Sequence, residues 1–174
     1  SSKNCHIGTF IREEFGARAL GNRSIIADPS NFQVVQKINE SIKNRDFWMP
    51  FTPSILHERI DDYVLNPKHL ISPYMTMAFE STTLARKHLA GAVHPADFTV
   101  RPQFLQKNHN PDYHDLISEF EKLTDIGGLL NTSLNLHGEP VVGNTSDALH
   151  TLFSSELDLM IINNNALIRK TTRK

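Results

Sequence analysis

The sequence predicts an α/β domain with a mostly covered sheet. Three observations predict it. Apolar residues recur at helical spacing in several segments, short continuous apolar runs lie between them, and Pro, Gly, Asn or Asp mark the boundaries. At 174 residues the chain has the size of one domain and is long enough to bury a proper core. No internal repeat, low-complexity tract or Gly/Ser-rich linker divides it, so residues 1–174 read as a single domain.

The elements follow in order. Asp28-Pro29 reads as a helix N-cap followed by proline in the first turn. Val34, Val35, Ile38 and Ile42 then form the apolar face of a helix that runs out near Asn44 to Asp46. Residues 53–63 read as a second, short helix with Ile55, Leu56, Ile60 and Tyr63 on its inner side. Asn110-Pro111 repeats the start signal ahead of a stripe of Tyr113, Leu116, Ile117, Phe120 and Leu123. Asp125-Ile126-Gly127-Gly128 breaks that helix, and Leu129-Leu130 begins a run suited to a buried strand. Thr145 to Asp147 caps a further helix facing inward through Ala148, Leu149, Leu152 and Phe153. Leu157 to Ile162 and Ala166 to Ile168 read as strands joined at Asn163-Asn164-Asn165, since Asn tolerates positive φ.

Composition narrows the function classes. Hydrophobic residues at 39% and charged residues at 21% exclude disorder. No apolar run reaches the ~20 residues that span a bilayer. Residues 1–6 lack the basic start and apolar stretch of a signal peptide, and Cys5 is the single cysteine; cytoplasm is the expected compartment. A formal net charge of -1 gives no global field for nucleic acid, so any anion site must be a local cluster. Arg12, Arg18, Arg23, Lys37, Lys43 and Arg45 all fall within the first 45 residues of the chain. The nine histidines show no metal-ligand spacing.

Three segments carry candidate chemistry. Residues 14–24 place two glycines around Arg18, with Arg23 close behind. Glycine permits positive φ and close backbone approach, and the guanidinium fork matches phosphate or carboxylate oxygens. The spacing is not that of a Walker loop, and a glycine turn with surface arginines has the same composition. Lys43-Asn44-Arg45 ends the first helix, where cations also complement the helix dipole, and Trp48 and Phe51 follow, suited to the core or to a purine. Asn131, Thr132, Ser133 and Asn135 follow the apolar run Leu129-Leu130. Strand ends of this kind often bond ligands in α/β folds, although Asx and Ser turns look the same.

Together these segments resemble a known family. Residues 14–29, Ile38-Asn39, Lys43-Asn44-Arg45, residues 48–54, and Leu129 to Asn135 with Gly138-Glu139-Pro140 match, in order, the C-terminal domain of the carbamoyltransferases that act on antibiotics and nodulation factors. Ala17 stands where that family usually has proline, and Met49 where it usually has arginine. The resemblance implies a YrdC-like fold, a twisted mixed sheet with flanking helices and a basic concave face. Lys43-Asn44-Arg45 and Ser133-Leu134-Asn135 fit the Lys-x-Arg and Ser-x-Asn signature of YrdC-type enzymes.

The resemblance also implies an activity. The domain would form carbamoyl-adenylate from ATP and carbamoyl phosphate, with Mg2+ carried by ATP. A separate N-terminal domain with its own bound metal would pass the carbamoyl group to the hydroxyl of a small acceptor, so the chain is expected to be one part of a two-domain protein. Lys43 and Arg18 would act in catalysis. Arg18, Arg23, Lys43, Arg45 and Arg101 would hold the phosphates, and Asn131, Thr132, Ser133 and Asn135 would orient the carbamoyl group or the α-phosphate. Two alternatives are threonylcarbamoyl-adenylate synthesis, which lacks the residue 16–23 loop as its hallmark, and an RNA-binding module, which the near-neutral charge disfavours.

Overall fold

In a strand, successive side chains point to opposite faces, and the central strands of this protein are apolar on both. A computed structural model describes residues 7–10, 14–43, 49–163 and 165–170. In chain order the strands are β1 (Ile7–Phe10), β2 (Arg23–Ala27), β3 (Thr52–Leu56), β4 (Val64–Leu65), β5 (Phe79–Ser81), β6 (Thr99–Val100), β7 (Gln103–Leu105), β8 (Gly128–Ser133), β9 (Leu159–Ile162) and β10 (Ala166–Arg169). The helices are α1 (Phe32–Ile38), α2 (Ile60–Tyr63), α3 (Thr83–His88), α4 (Pro111–Thr124) and α5 (Thr145–Ser154).

A seven-stranded mixed sheet runs in the order β10-β9-β1-β2-β8-β3-β7, and β4-β5-β6 form a small antiparallel sheet. In the large sheet β1 is parallel to β9 and β3 to β7, and the other neighbours are antiparallel. Ile25 and Leu130 pack with Val34 and Ile38 of α1 and with Ala148 and Leu152 of α5. Their chain neighbours Ile26 and Leu129 point the other way, onto Tyr113 and Ile117 of α4. Ile55 and Phe104 pack with Tyr63, Leu89 and the small sheet through Phe79 and Val100. The α/β class with a covered sheet and flanking helices is therefore as expected, and no described helix is long and apolar enough to cross a membrane.

Local readings shift where tertiary contacts outweigh them. The N-cap of α1 is Asn31, whose side chain accepts from the Gln33 amide, while Asp28 instead takes the Ser30 amide and hydroxyl in a turn. After Ile38 the helix widens into a π-helical turn, Asn39–Lys43; residues 44–48 lie outside the described residues. The expected helix over 53–63 is a strand followed by a 3-10 turn, His57–Arg59, and α2. Ile55 and Leu56 face different cores, and β7 and β8 satisfy the backbone on both sides of β3. Asn110 caps α4 at the Tyr113 amide and Asp125 stops it in the left-handed region, φ 63, but Leu123 at the end of the stripe is exposed. The cap of α5 is Asn144, one residue earlier than expected, and Thr151 rather than Phe153 joins its inner face. Asn163 turns the β9–β10 hairpin at φ 50.

Candidate functional site

Strand directions gather the singled-out residues at one end of the large sheet. β2 begins where β8 ends, with Ser24 opposite Ser133, and Thr52 at the start of β3 lies opposite Asn131. β7 is parallel to β3 with Gln103 beside Ser54, which puts Arg101 just outside this same end. Five segments therefore meet there: the loop 14–22, the π-helical turn with Lys43, the start of β3, residues 101–102, and the loop that follows Ser133.

Lys43 reaches the end of β8. Its ammonium donates to the Ser133 carbonyl (2.6 Å), the Ser133 hydroxyl (3.2 Å), the Asn135 carbonyl (3.1 Å) and Asn135 Oδ1 (2.7 Å). The residue is only 3% exposed, and a buried ammonium persists only with acceptors of this kind. Ser133 Oγ also donates to Asn135 Oδ1 at 2.6 Å, and Asn135 Nδ2 donates to the Leu136 and Glu139 carbonyls at 3.1 and 2.7 Å. His137 closes the corner from the other side, its amide bonding the Ile42 carbonyl (3.0 Å) and its Nδ1 the Lys43 carbonyl (2.7 Å). The two segments are 90 residues apart in sequence and bonded by both side chains and backbone.

The arginines occupy different settings. Arg18 sits in an exposed stretch, residues 15–18, just after Gly16 at φ +124. Arg101 lies near it. Partial burial first, and the Arg18 charge second, lower the pKa of the Arg101 guanidinium. Arg23 is buried, with Nε 3.2 Å from Glu14 Oε2 and Nη1 donating to the Val142 carbonyl at 2.9 Å. Arg45 falls among residues 44–48, outside the described residues, as does Trp48; Phe51 is in the core.

Of the polar run on β8, Asn131 is fully buried and Thr132 nearly so. Asn131 Nδ2 donates to the Ala19 carbonyl (3.2 Å) and to Ser54 Oγ (3.0 Å), and Asn131 Oδ1 has no hydrogen bond among the described residues. Ser54 Oγ donates to Gln103 Oε1 at 2.6 Å, and Gln103 Nε2 donates to the Leu20 carbonyl at 3.2 Å. The Thr52 hydroxyl bonds the Asn131 carbonyl at 3.0 Å; Thr52 and Ser54 lie in the matched residues 48–54 but carry no expected role, because β3 looks helical, and Gln103 has none because β7 is three residues long. The signal that could have found them is a polar residue beside a proline at a strand start, Thr52 and Ser54 around Pro53 and Gln103 after Pro102.

The arrangement brings cations together with amide and hydroxyl groups, which suits an oxyanion. A separate cleft of about 380 Å³ is lined by His57, His69, Tyr74, Gln106 and His109, among others. It opens where β3 and β7 finish, at the opposite end of those strands, and holds none of the expected site residues.

Comparison with known proteins matches the same segments. Residues 2–170 match the family model described as carbamoyltransferase C-terminus. An uncharacterized protein of Methanocaldococcus jannaschii is 42% identical over 151 residues, covering 87% of this chain and 28% of its own length. The nodulation protein NolO of Bradyrhizobium diazoefficiens is 38% identical over 152 residues, again 87% of this chain and 28% of the relative. A 3'-hydroxymethylcephem-O-carbamoyltransferase of Amycolatopsis lactamdurans is 32% identical over 160 residues, with the same coverage of 87% and 28%. The chain thus spans about a quarter of the length of these curated relatives. It belongs to the carbamoyltransferase family and corresponds to that family's C-terminal domain.

Proposed function

We propose that this end of the sheet binds ATP and carbamoyl phosphate and forms carbamoyl-adenylate, from which another part of the full protein transfers the carbamoyl group to a hydroxyl. The observation that carries the reading is the meeting, at one end of the sheet, of the exposed Arg18 and Arg101 with the polar end of β8, which Lys43 holds through Ser133 and Asn135. The name of the Amycolatopsis relative, an O-carbamoyltransferase of a hydroxymethyl compound, supports a hydroxyl acceptor.

The chemistry balances with one water. Water releases phosphate from carbamoyl phosphate, a carbamate oxygen attacks the α-phosphorus of ATP, and pyrophosphate leaves. Such a step needs positioning and charge neutralisation rather than a protein nucleophile. Arg18 and Arg101 bring two like charges near each other, an arrangement that an intervening phosphate stabilises. Arg45 would add a further phosphate contact, and Mg2+ would enter on the phosphates of ATP. Lys43, expected among the phosphate ligands, is buried on Ser133 and Asn135, and in this reading it orients them instead; with Asn131 and Thr132 these supply neutral bonds to the carbamoyl group or α-phosphate. Arg23 would act from the base of the loop, where Glu14 and Val142 hold it.

Titration calorimetry of magnesium-ATP into the protein, with and without carbamoyl phosphate, tests the reading. Saturable binding that Arg18→Ala weakens supports it; binding of neither ligand overturns it. With the full-length protein, adenylate formed only from threonine plus bicarbonate would also overturn it, in favour of threonylcarbamoyl-adenylate synthesis.

A further inference from the structure

The loop that carries Arg18 is organised by an anion of its own. Glu14 Oε1 accepts from the backbone amides of Leu20 (2.9 Å), Asn22 (2.9 Å) and Arg23 (3.2 Å), and Glu14 Oε2 takes Arg23 Nε at 3.2 Å. The Glu14 side chain is 4% exposed. Backbone amides that converge in this way form a nest, an arrangement that ordinarily receives a phosphate or another ligand anion. Here a carboxylate from the same loop fills it.

Further polar groups at the base of the loop are also paired. The Gly21 amide donates to Ser24 Oγ at 2.9 Å and its carbonyl accepts from Thr9 Oγ1 at 2.8 Å. The Ala19 and Leu20 carbonyls accept from Asn131 and Gln103. Gly21 adopts φ +113 against the Tyr113 ring, where a Cβ would fall 2.3 Å from Cδ1. Residues 15–18 contrast with this base: all four are exposed, and Arg18 makes no hydrogen bond or ion pair with any described residue. A rigid base thus presents a solvated tip.

We propose that Glu14 is a positioning residue, whose carboxylate occupies the amide nest of residues 20–23 in place of a ligand and so presets Arg18 for a phosphate. Because the nest is already filled, the loop offers substrate its guanidinium and not its amides. The base of the loop is formed before the substrate arrives, which lowers the backbone ordering cost of binding. This inference rests on the reading that Arg18 contacts a phosphate of ATP.

The test is a double-mutant cycle on ATP affinity, measured by calorimetry on the protein, Glu14→Gln, Arg18→Ala and the pair. Glu14→Gln is expected to weaken ATP about tenfold, the worth of a charge-assisted contact misplaced. In the Arg18→Ala background the same change should have a much smaller effect, confined to what Glu14 does through Arg23, because residues that act through one contact are non-additive. Additive losses overturn the positioning role, since a general loss of structure weakens both backgrounds alike. If Arg18→Ala leaves affinity unchanged, the phosphate reading itself fails. Hydrogen exchange on the unmutated protein gives an answer that needs no variant to fold. Slow exchange at the Leu20 and Asn22 amides supports the filled nest, and exchange at the rate of an open loop overturns it.

Discussion

The arginine loop and the Lys43 corner treat a cation in opposite ways. The loop buries its carboxylate, Glu14, and exposes its guanidinium, Arg18. The corner buries its ammonium among the oxygens of Ser133 and Asn135. A buried charge is part of the architecture, and removing it strands its partners. An exposed charge on a fixed base costs little to keep and is available to a ligand. Two residues with the same sign and the same motif-level signal therefore differ in what their loss should do.

The largest expected effect separates the two regions at once. Lys43→Ala strands several buried oxygens and should lower stability by about 3 kcal/mol, read as a fall in the denaturant midpoint, with ATP binding lost alongside. A midpoint like that of the unmutated protein would show that the corner does not depend on its ammonium. Gly21→Ala comes next. It forces a Cβ onto Tyr113 from a positive φ, for a cost of about 2 kcal/mol by the same measurement. Arg18→Ala should leave stability within ~0.5 kcal/mol yet weaken ATP about tenfold, so calorimetry and melting move apart in this variant alone. Should both move together, the exposed tip is structural and the contrast between the regions fails. The smallest effect is expected at the loop's packing partner. The Tyr113 hydroxyl is buried beside Ser54 and Asn131 without a hydrogen bond of normal length among the described residues, so Tyr113→Phe should shift stability by no more than about 1 kcal/mol in either direction, read as Tm.

Regions also differ in how much of them could be read in advance. α4 was legible because its start, stripe and stop are all local: Asn110-Pro111, Tyr113 to Phe120, and Asp125. The β9–β10 hairpin was legible for the same reason, through the Asn turn between two apolar runs. β3 was not, since Ile55, Leu56, Ile60 and Tyr63 satisfy a helical period as well as a strand followed by a short helix. Strands β4 to β7 are two or three residues long and leave almost no periodic trace. Arg18 and Arg23 stood out together, but nothing in their spacing told which would face solvent.

The sequence by itself determined the class of the domain, its main helices and the chemistry available at three separate stretches of chain. It also contained the ordered motifs that place it in its family. Only the tertiary structure decided that Lys43 meets Ser133, that Arg18 lies by Arg101, and that Glu14 closes back on its own loop. Helix caps and amphipathic stripes depend on neighbours within a turn or two, so they are written locally. Which strand ends come together depends on sheet order and strand direction, and those are settled by burying both faces of the sheet at once.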